Sequence, residues 1–514
     1  MSGVRWILGC AMAFAALVPV AAQAQAVARD KVTAALPKFE DLAQQVVADG
    51  GVPGLAVAVV HRDEVVYLKG FGVREMGKPD RVDADTVFQI ASFAKPVSAT
   101  IVAALVSDGV MRWDSRIADL DPAFQLHDPY PTRQLTVRDL FNHRSGLPGE
   151  AGNELEALGY SRDEILRRLR LVPPASSFRA GYSYSNFGLT EGAVAAAKPT
   201  GKAWEDVAAE TLYVPLGMTS TSSRHADFLK RSNRAGLHIK LGGPWVAALT
   251  RDPDAQAPAG GVSSNVRDLA QWMRLELAKG IYAGKPLIRP EALAATHVPL
   301  TARGNNPVTG APSFYGLGWN VEFGRHGLIW GHAGAFSVGA RTLVTLYPER
   351  DIGIVILTNA FPTGVPEGLA ASFFDLVFDG AVAQDWITPW NKVFGGMFAP
   401  AMAAAKAAYG APPASATPAL PLTTYAGTYA NGYIGQAVVV ADGNSLQLKL
   451  GPNGAASFPL RHFNRDLFLY TPSAETPDLP SAVTFDVGAG GKATQVTIED
   501  LNAFGLGVLT RVGD

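Results

Sequence analysis

The order of apolar and polar positions divides the chain into a mixed region and a β-rich tail. The segment LPKFEDLAQQVVADGGVPG has helical spacing and stops at Gly50 and Gly51, and GLAVAVVHRDEVVYLKGFGV follows as two strand patterns around a turn. Residues 114–279 are mainly helical patterns broken by Pro and Gly. Strand patterns return in GLIWGHAG and in ARTLVTLYPERDIGIVILTNA, where the turn at 348–351 indicates a second hairpin. Strands at both ends with helices between them predict an α+β fold, an antiparallel sheet flanked by helices with an inserted all-helical lobe.

The C-terminal part follows a Pro/Ala-rich stretch, APPASATPALP, at residues 411–421. Beyond it, SLQLKL, LFLYTP, AVTFDV, TQVTIED and GLGVLTRV are short, alternating and separated by turn residues. This pattern predicts a small antiparallel β-barrel. We therefore expect four parts, a signal peptide at 1–24, a main domain at 25–385, a helical and Pro/Ala-rich linker at 386–421 and a β domain at 422–514.

The first residues, MSGVRWILGCAMAFAALVPVAAQAQA, have the order of a secretory signal. Arg5 precedes an apolar run from Trp6 to about Ala22, and small residues around Ala24 form cleavage candidates. The alternative, an uncleaved membrane anchor, would need a longer apolar run. We expect a periplasmic or secreted protein with no stable membrane insertion after cleavage. Cys10 is the only cysteine and lies in this segment, so the mature chain has no thiol for a disulfide, a metal or a nucleophile.

Composition narrows the possible partners of this chain. The 514 residues carry 44 Lys and Arg against 46 Asp and Glu, a formal net charge of -2, without a long basic run, so we expect no nucleic-acid partner. The nine histidines are scattered and no His-Glu-x-x-His or phosphate-cradling loop occurs, so we expect no metal and no cofactor.

A hydroxyl and an amine stand at the front of an otherwise apolar helix in QIASFAKPVSATIVAALVSDG. Ser92 and Lys95 lie one turn apart on the same face. A serine gains reactivity where helix-start N–H groups can hold an oxyanion, and an amine against an apolar wall can lose its proton and act as a base. Pro96 predicts an irregular first turn, and Gly109 predicts the end of the helix. The alternative is a capping serine with a solvent-exposed lysine.

Two later loops carry further candidates. In AGYSYSNFG, Tyr184 offers a phenol whose pKa a neighbouring lysine ammonium would lower, and Asn186 offers an amide for the lysine and a substrate carbonyl. In IWGHAGAFSVG, His332 is followed by Gly334, which lets a substrate backbone approach, and the next N–H, that of Ala335, is a candidate oxyanion donor. Each is a weak signal alone, since ordinary turns and packed histidines look the same.

The three motifs in this order resemble the active-site motifs of the class C β-lactamase-like serine hydrolases. They are Ser-x-x-Lys at 92–95, Tyr-x-Asn at 184–186 and His-x-Gly at 332–334. The stretches LFNHRSGLPG, PAGGVSSNVRDLAQWM and YGLGW are similar as well, and the resemblance covers roughly residues 39–378. This superfamily includes penicillin-binding DD-peptidases, D-aminopeptidases and esterases.

The resemblance implies a site between the sheet and the helical lobe, and it implies acyl transfer. Ser92 would attack a carbonyl, and Lys95 and Tyr184 would share the proton transfers, with the general base left open between them. Asn186 would orient the substrate, and the oxyanion would be held by the backbone N–H groups of Ser92 and Ala335.

Other parts of the resemblance concern specificity. Penicillin-recognising members commonly have Lys-Thr-Gly at the third motif, where this chain has His332-Ala333-Gly334, and a mostly neutral imidazole holds a substrate carboxylate less well than a cation does. By the same likeness His143 is a structural residue under a loop. The segment from Tyr425 resembles the lipocalin-like barrel of some peptidases in this superfamily, where it borders the active site or an oligomer contact. It could equally be a passive spacer.

These observations favour a serine hydrolase of a peptide or small-molecule substrate, D-aminopeptidase-like or DD-peptidase-like. Carboxylesterase is the next alternative and β-lactamase the third. An α/β-hydrolase would need Gly-x-Ser-x-Gly, for which the chain offers only near misses. A catalytically inactive ligand-binding or cell-wall-binding module is the alternative of another class, and assembly into a homo-oligomer is left open.

Overall fold

The structure is a computed structural model that describes residues 26–240, 243–472 and 479–513. The expected signal peptide at 1–24 lies outside these residues. Among the residues described, none of the helices combines the length and the apolar character that a bilayer crossing requires.

An eight-stranded antiparallel sheet joins the two ends of the mixed region. Its strands are β1 (Gly54–His61), β2 (Glu64–Gly72), β3 (Thr301–Asn305), β4 (Pro312–Tyr315), β5 (Asn320–Gly324), β6 (Gly327–Phe336), β7 (Ala340–Tyr347) and β8 (Ile352–Thr358). Their order across the sheet is β2-β1-β8-β7-β6-β5-β4-β3. Val57 of β1 lies opposite Ile356 of β8, so distant segments close one sheet, as the pattern predicts. Both predicted hairpins, β1–β2 and β7–β8, are confirmed.

Two layers of helices cover the sheet. Neighbouring residues of β1, such as Val57 and Ala58, point into two different hydrophobic cores because side chains alternate along a strand. The helices of the outer layer are Arg29–Ala48 and Val365–Asp379, and those of the inner layer include Ala94–Ser107 and Val266–Leu277.

The inserted lobe is mainly helical, as expected. Its helices are Ile117–Leu120, Pro129–Gln134, Val137–Phe141, Asn153–Ala157, Arg162–Arg168, Asn186–Ala197, Trp204–Ala208, His225–Lys230 and Ala257–Gly260, and Pro290–Ala294 follows the lobe. The same region also contains a strand pair that the pattern did not predict, Leu237–Lys240 and Trp245–Leu249. The first strand of that pair also bonds in parallel to Ala360–Phe361, a long-range contact that a local pattern does not reveal.

The C-terminal part confirms the predicted barrel. Helices Ile387–Gly395 and Ala399–Tyr409 lead to the mostly exposed stretch at 411–421. Eight antiparallel strands then close into a barrel that fits the expected lipocalin-like domain, namely Gly427–Asn431, Gly435–Asp442, Ser445–Leu450, Ala456–Asn464, Leu467–Tyr470, Ser481–Val487, Ala493–Ile498 and Val508–Gly513.

A buried ion pair connects the outer-layer helix Val365–Asp379 to strand β7 of the sheet. Arg341 on β7 donates from its Nε to Glu367 Oε1 at 2.9 Å and contacts the same oxygen through Nη2. Both side chains are about nine-tenths buried, at 10% and 8% exposure. The guanidinium also lies over the ring of Phe394, 3.9 Å from its centroid. Removing one partner leaves the other charge buried without compensation.

We expect Glu367→Ala to lower the free energy of unfolding of the main domain by about 3–5 kcal/mol, because the Arg341 charge stays buried. Asp114→Ala is the matched control, since it breaks the solvent-exposed pair with Arg138 and should cost at most about 1 kcal/mol. Urea unfolding followed by tryptophan fluorescence measures both. Equal losses in the two variants would contradict a structural role for burial of the Arg341 pair.

Candidate active site

A strained turn presents Ser92. Residues Ala91–Phe93 form a 3₁₀ turn and the α-helix begins at Ala94, so the irregular start predicted from Pro96 is confirmed. Ala91 has a φ of 49°, a left-handed conformation that costs a non-glycine residue of order 1–3 kcal/mol. Such strain persists only where the surroundings enforce it, and here it lifts the half-buried Ser92 into the cleft between sheet and lobe.

Lys95 brings the first two motifs together. Its Nζ lies 3.1 Å from Ser92 Oγ, 2.7 Å from Asn186 Oδ1 and 2.9 Å from the carbonyl oxygen of Ala259. The side chain is 0% exposed. Asn186 is the first residue of its helix, and the Ser185 hydroxyl caps that helix by accepting from the Gly188 N–H. The lysine amine is thus enclosed by three neutral groups.

Burial determines the charge of this amine. It holds the pKa of Lys95 well below its usual range, and only the Glu150 carboxylate acts in the opposite direction. A neutral amine has two hydrogens and one lone pair. With its hydrogens donated to Asn186 and the Ala259 carbonyl, the lone pair is directed at the Ser92 hydroxyl. The arrangement can therefore remove the serine proton.

The pKa of Tyr184 is shifted in the opposite direction from the one expected. The sequence favoured a pKa lowered by a lysine ammonium, but burial raises the pKa of Tyr184, with a hydrogen bond to Ser92 acting against it. The expectation was wrong because burial of the phenol outweighs its neighbours, although Lys95 Nζ lies 4.5 Å from the centre of the ring. Tyr184 stays a protonated phenol in contact with Ser92, suited to donating a proton.

The third motif is also uncharged. His332 Nδ1 lies 2.8 Å from the carbonyl oxygen of Ala333, so Nδ1 carries the proton, and Nε2 accepts from the Tyr315 hydroxyl at 3.0 Å. Burial is the main cause that holds the pKa of His332 well below its usual range. The ring centres of His332 and Tyr184 are 6.3 Å apart.

Gly334 allows β6 to run directly beneath the serine turn. A Cβ on Gly334 would lie 2.1 Å from the Ile90 carbonyl oxygen and 2.9 Å from the Phe93 nitrogen. Any side chain here would push the strand away from Ser92. Ala335 follows on the same strand, so its position is compatible with the oxyanion role expected from the resemblance, which remains a prediction.

His143 lies below the cleft and is fully buried. Its Nδ1 accepts from the Ser185 N–H at 3.1 Å, and its ring packs 4.6 Å from that of Tyr184 and 4.9 Å from that of Tyr315. Burial holds the pKa of His143 well below its usual range. His143 therefore packs against Tyr184 and Tyr315 from the buried side, which agrees with the structural role expected for it.

Three contributors to the cleft were not singled out from the sequence. The Ala259 carbonyl and Tyr315 lie in PAGGVSSNVRDLAQWM and YGLGW, two stretches whose likeness to the family was the available signal. Asn153 had no signal, yet its Oδ1 lies 3.5 Å from Asn186 Nδ2.

One group of possible metal ligands occurs among the described residues, and it lies elsewhere. His326, Asp375 and Asp379 have ligand atoms within 4.8 Å of one another. The Arg325 guanidinium already bonds to both carboxylates at 2.5 Å, so the cluster is an ion-pair network against an outer-layer helix.

The cleft geometry agrees with comparisons to known proteins. The sequence model of a family described as Beta-lactamase matches residues 39–373, which include all three motifs. The chain belongs to the beta-lactamase family. A second model, described as a domain of unknown function (DUF3471), matches residues 411–506, the region of the barrel.

The relatives have low sequence identity to the chain, but the matches extend over most of it. An unguisins hydrolase, ungD', of Aspergillus campestris is 26% identical over 76% of this chain and 75% of its own. Penicillin-binding protein 4 of Amycolatopsis lactamdurans is 28% identical over 64% of this chain and 84% of its own. The structure of the octameric penicillin-binding protein homologue from Pyrococcus abyssi covers 93% of this chain and is itself covered completely, with a TM-score of 0.55 at 18% identity. These matches support a beta-lactamase fold extended by a barrel.

The negative charge of Glu150 should affect the pH at which the reactivity of Ser92 falls. We call this loss of rate at low pH the acid limb. Reaction of Ser92 with a fluorophosphonate needs neutral Lys95, so its rate should fall as the pH drops through the Lys95 pKa. Because Glu150 raises that pKa, Glu150→Gln should move the acid limb to lower pH. The glutamine keeps an oxygen for the Asn153 amide, which donates to Glu150 at 2.6 Å.

The measurement is the labelling rate against pH, read by intact-protein mass spectrometry. Glu291→Gln, at an exposed glutamate on another helix, is the control and should leave the limb in place. A limb that moves to higher pH in Glu150→Gln would show that Lys95 is not the titrating base.

Proposed function

We propose that this protein is a serine hydrolase that forms an acyl-enzyme at Ser92 and cleaves a peptide or amide bond, in the manner of a D-aminopeptidase or DD-peptidase. The observation that carries the proposal is the fully buried Lys95 amine, whose Nζ lies 3.1 Å from the Ser92 hydroxyl and whose pKa burial holds well below its usual range. Members of the beta-lactamase-like superfamily are in general serine hydrolases, which supports the coarser assignment.

In the acylation step, Ser92 Oγ attacks the substrate carbonyl carbon and its proton passes to Lys95 Nζ. The carbonyl oxygen becomes an oxyanion held by the N–H groups of Ser92 and Ala335. Loss of one such donor typically costs about 3–4 kcal/mol of transition-state stabilisation. As the tetrahedral intermediate collapses, Tyr184 donates its proton to the leaving amine, and the phenolate that remains lies beside the Lys95 ammonium.

In the deacylation step, water attacks the acyl carbon and loses its proton to the Tyr184 phenolate. The Lys95 ammonium then returns its proton to Ser92 Oγ as the acid leaves. Both groups end in their starting states, so the cycle needs no cofactor. This division makes Lys95 the base of acylation and Tyr184 the base of deacylation.

The neutral third motif supports peptide or ester substrates over β-lactams. His332 offers no positive charge to a substrate carboxylate, because the pKa of its imidazole is held low by burial. The name of one relative refers to hydrolysis of unguisins, which supports a hydrolase in general. Carboxylesterase is the second candidate, since a neutral imidazole binds an uncharged ester equally well.

We expect the wild-type protein to form a covalent adduct at Ser92 with at least one of a short panel of reagents, because the lysine lone pair activates that hydroxyl. The panel is a D-amino-acid amide, an L-peptide, a p-nitrophenyl ester, a penicillin and a fluorophosphonate. Intact-protein mass spectrometry detects the adduct, and parallel turnover assays identify the leaving group. Ser92→Ala should form no adduct and should lose turnover by a factor of about 10³ or more.

Ser107→Ala is the matched control, at the far end of the same helix, where the hydroxyl accepts only from the Arg289 N–H. It should keep the wild-type adduct and turnover. A folded wild-type protein that is inert across the panel would refute the hydrolase and favour the ligand-binding module.

The proposal also places the enzyme outside the cytoplasm. The N-terminal segment of the sequence supports this through its apolar run and its small residues around Ala24. Expressed with its own N-terminus in a Gram-negative host, the protein should be recovered from the periplasm beginning at Gln25, and N-terminal sequencing checks this. A full-length chain in the cytoplasmic fraction would refute export.

A further inference from the structure

The first turn of the barrel is inserted into the helical lobe. Tyr433 lies between the first two barrel strands and is 1% exposed. Its hydroxyl accepts from the Gly152 N–H at 3.1 Å and donates to the Glu154 carboxylate. Both partners belong to the lobe, so this single hydroxyl links the two domains at the start of helix Asn153–Ala157.

Further bonds hold the turn in place on either side of the tyrosine. Tyr160 of the lobe donates its hydroxyl to the Ile434 carbonyl at 2.6 Å, and Arg168 donates to the Tyr433 carbonyl. The Arg168 guanidinium lies 4.1 Å from the centre of the Tyr160 ring. At Gly435, with φ of 88°, a Cβ would lie 2.6 Å from the Tyr160 hydroxyl, so the turn fits closely against the lobe.

The segment that Tyr433 holds lies at the edge of the active site. Asn153 donates to Glu150 at 2.6 Å, and its Oδ1 lies 3.5 Å from Asn186 Nδ2. The other end of the Asn186 amide, Oδ1, accepts from Lys95. A Cβ on Gly149 would lie 2.8 Å from the Tyr184 carbonyl oxygen, so the same segment also packs against the second motif. A chain of side-chain amides therefore connects the segment beside Tyr433 to the catalytic lysine.

This segment cannot hold itself in position. Its helix has five residues, too few for independent stability, and it starts at Gly152 with φ of 90° and no side-chain cap. At this uncapped start, the Gly152 N–H donates to the Tyr433 hydroxyl of the barrel. Removing the buried hydroxyl takes one hydrogen bond from each of its two partners, and with them the direct link to the barrel, which favours movement of the segment.

We propose that Tyr433 is a positioning residue for the active site, through which the barrel fixes Asn153 against Asn186 and so orients the Lys95 amine toward Ser92. The inference rests on the proposed serine hydrolase chemistry. It makes the barrel part of the catalytic apparatus through its contacts with the lobe. Misplacement of catalytic groups by about 1 Å costs rate by as much as about a hundredfold.

The test compares Tyr433→Phe with Tyr470→Phe in the full-length protein. Tyr470 is the matched control because it is 4% exposed and its hydroxyl bonds to a carboxylate, Asp500, within the barrel. For each variant kcat and KM are measured on the best substrate of the panel, together with the fluorophosphonate labelling rate at Ser92. Circular dichroism melting follows the fold.

Tyr433→Phe should lower kcat and the labelling rate about ten- to a hundredfold with KM changed by less than about twofold, because orientation and not binding is lost. Tyr470→Phe should keep kcat within about twofold. Asn153→Ala should reproduce the loss, and the double variant Tyr433→Phe/Asn153→Ala should be no slower than Asn153→Ala alone, since residues acting through one contact are not additive.

Three results would overturn the inference. These are wild-type kcat in Tyr433→Phe, equal losses in Tyr433→Phe and Tyr470→Phe, and additive losses in the double variant. Labelling of wild-type Ser92 separates the two hypotheses. A labelled wild type with an unaffected Tyr433→Phe refutes the positioning role alone, whereas a folded wild type without any label refutes the hydrolase and the positioning role with it.

Discussion

The burial of one amine without a counter-charge governs the catalytic half of this molecule. Lys95 is fully buried, and its Nζ contacts the oxygens of a hydroxyl, an amide and a main-chain carbonyl, all neutral. An ammonium in such a place would have a large desolvation cost, so burial holds the pKa of Lys95 well below its usual range. Each of the three oxygens comes from a different segment, namely the turn before the helix, the Asn186 helix and the 257–260 helix. Turn and lobe must therefore meet at one point for the base to exist.

Burial also acts on the groups around Lys95. It lowers the pKa values of His332 and His143 and raises that of Tyr184, so each of these side chains rests in its uncharged form. During the reaction an oxyanion and an ammonium form together among these uncharged side chains. In a site of low dielectric, backbone dipoles fixed in advance stabilise such a pair more than mobile water could. The strained Ala91 and the side-chain-free Gly334 are what place backbone groups there.

How much of this was predictable depends on how local each signal is. Ser92 and Lys95 meet because they are one turn apart, so their contact could be read from spacing alone. Tyr184, Asn186 and His332 could be assigned only through the likeness to a family, because their approach to Lys95 depends on the whole fold. For the Ala259 carbonyl only the family likeness of its stretch gave a signal, since a main-chain acceptor is not marked by any particular side chain. The pKa of Tyr184 was predicted in the wrong direction because burial cannot be read from neighbouring letters.

The position of the barrel also depends on contacts between distant parts of the chain. Its strands were predictable from alternation, but its docking was not, because the Tyr433 hydroxyl bonds to residues nearly three hundred positions earlier in the chain. Apart from the twelve-residue helix Asn186–Ala197, the helices described in the lobe have four to seven residues, and helices this short gain stability mainly from packing. The helix Asn153–Ala157 has no side-chain cap and lies beside the active site. Movement of its first residue would change the position of Asn186 and, through Asn186, that of Lys95. An appended domain inserted at that start would hold it in place through the Tyr433 hydroxyl, which is the role proposed for the barrel.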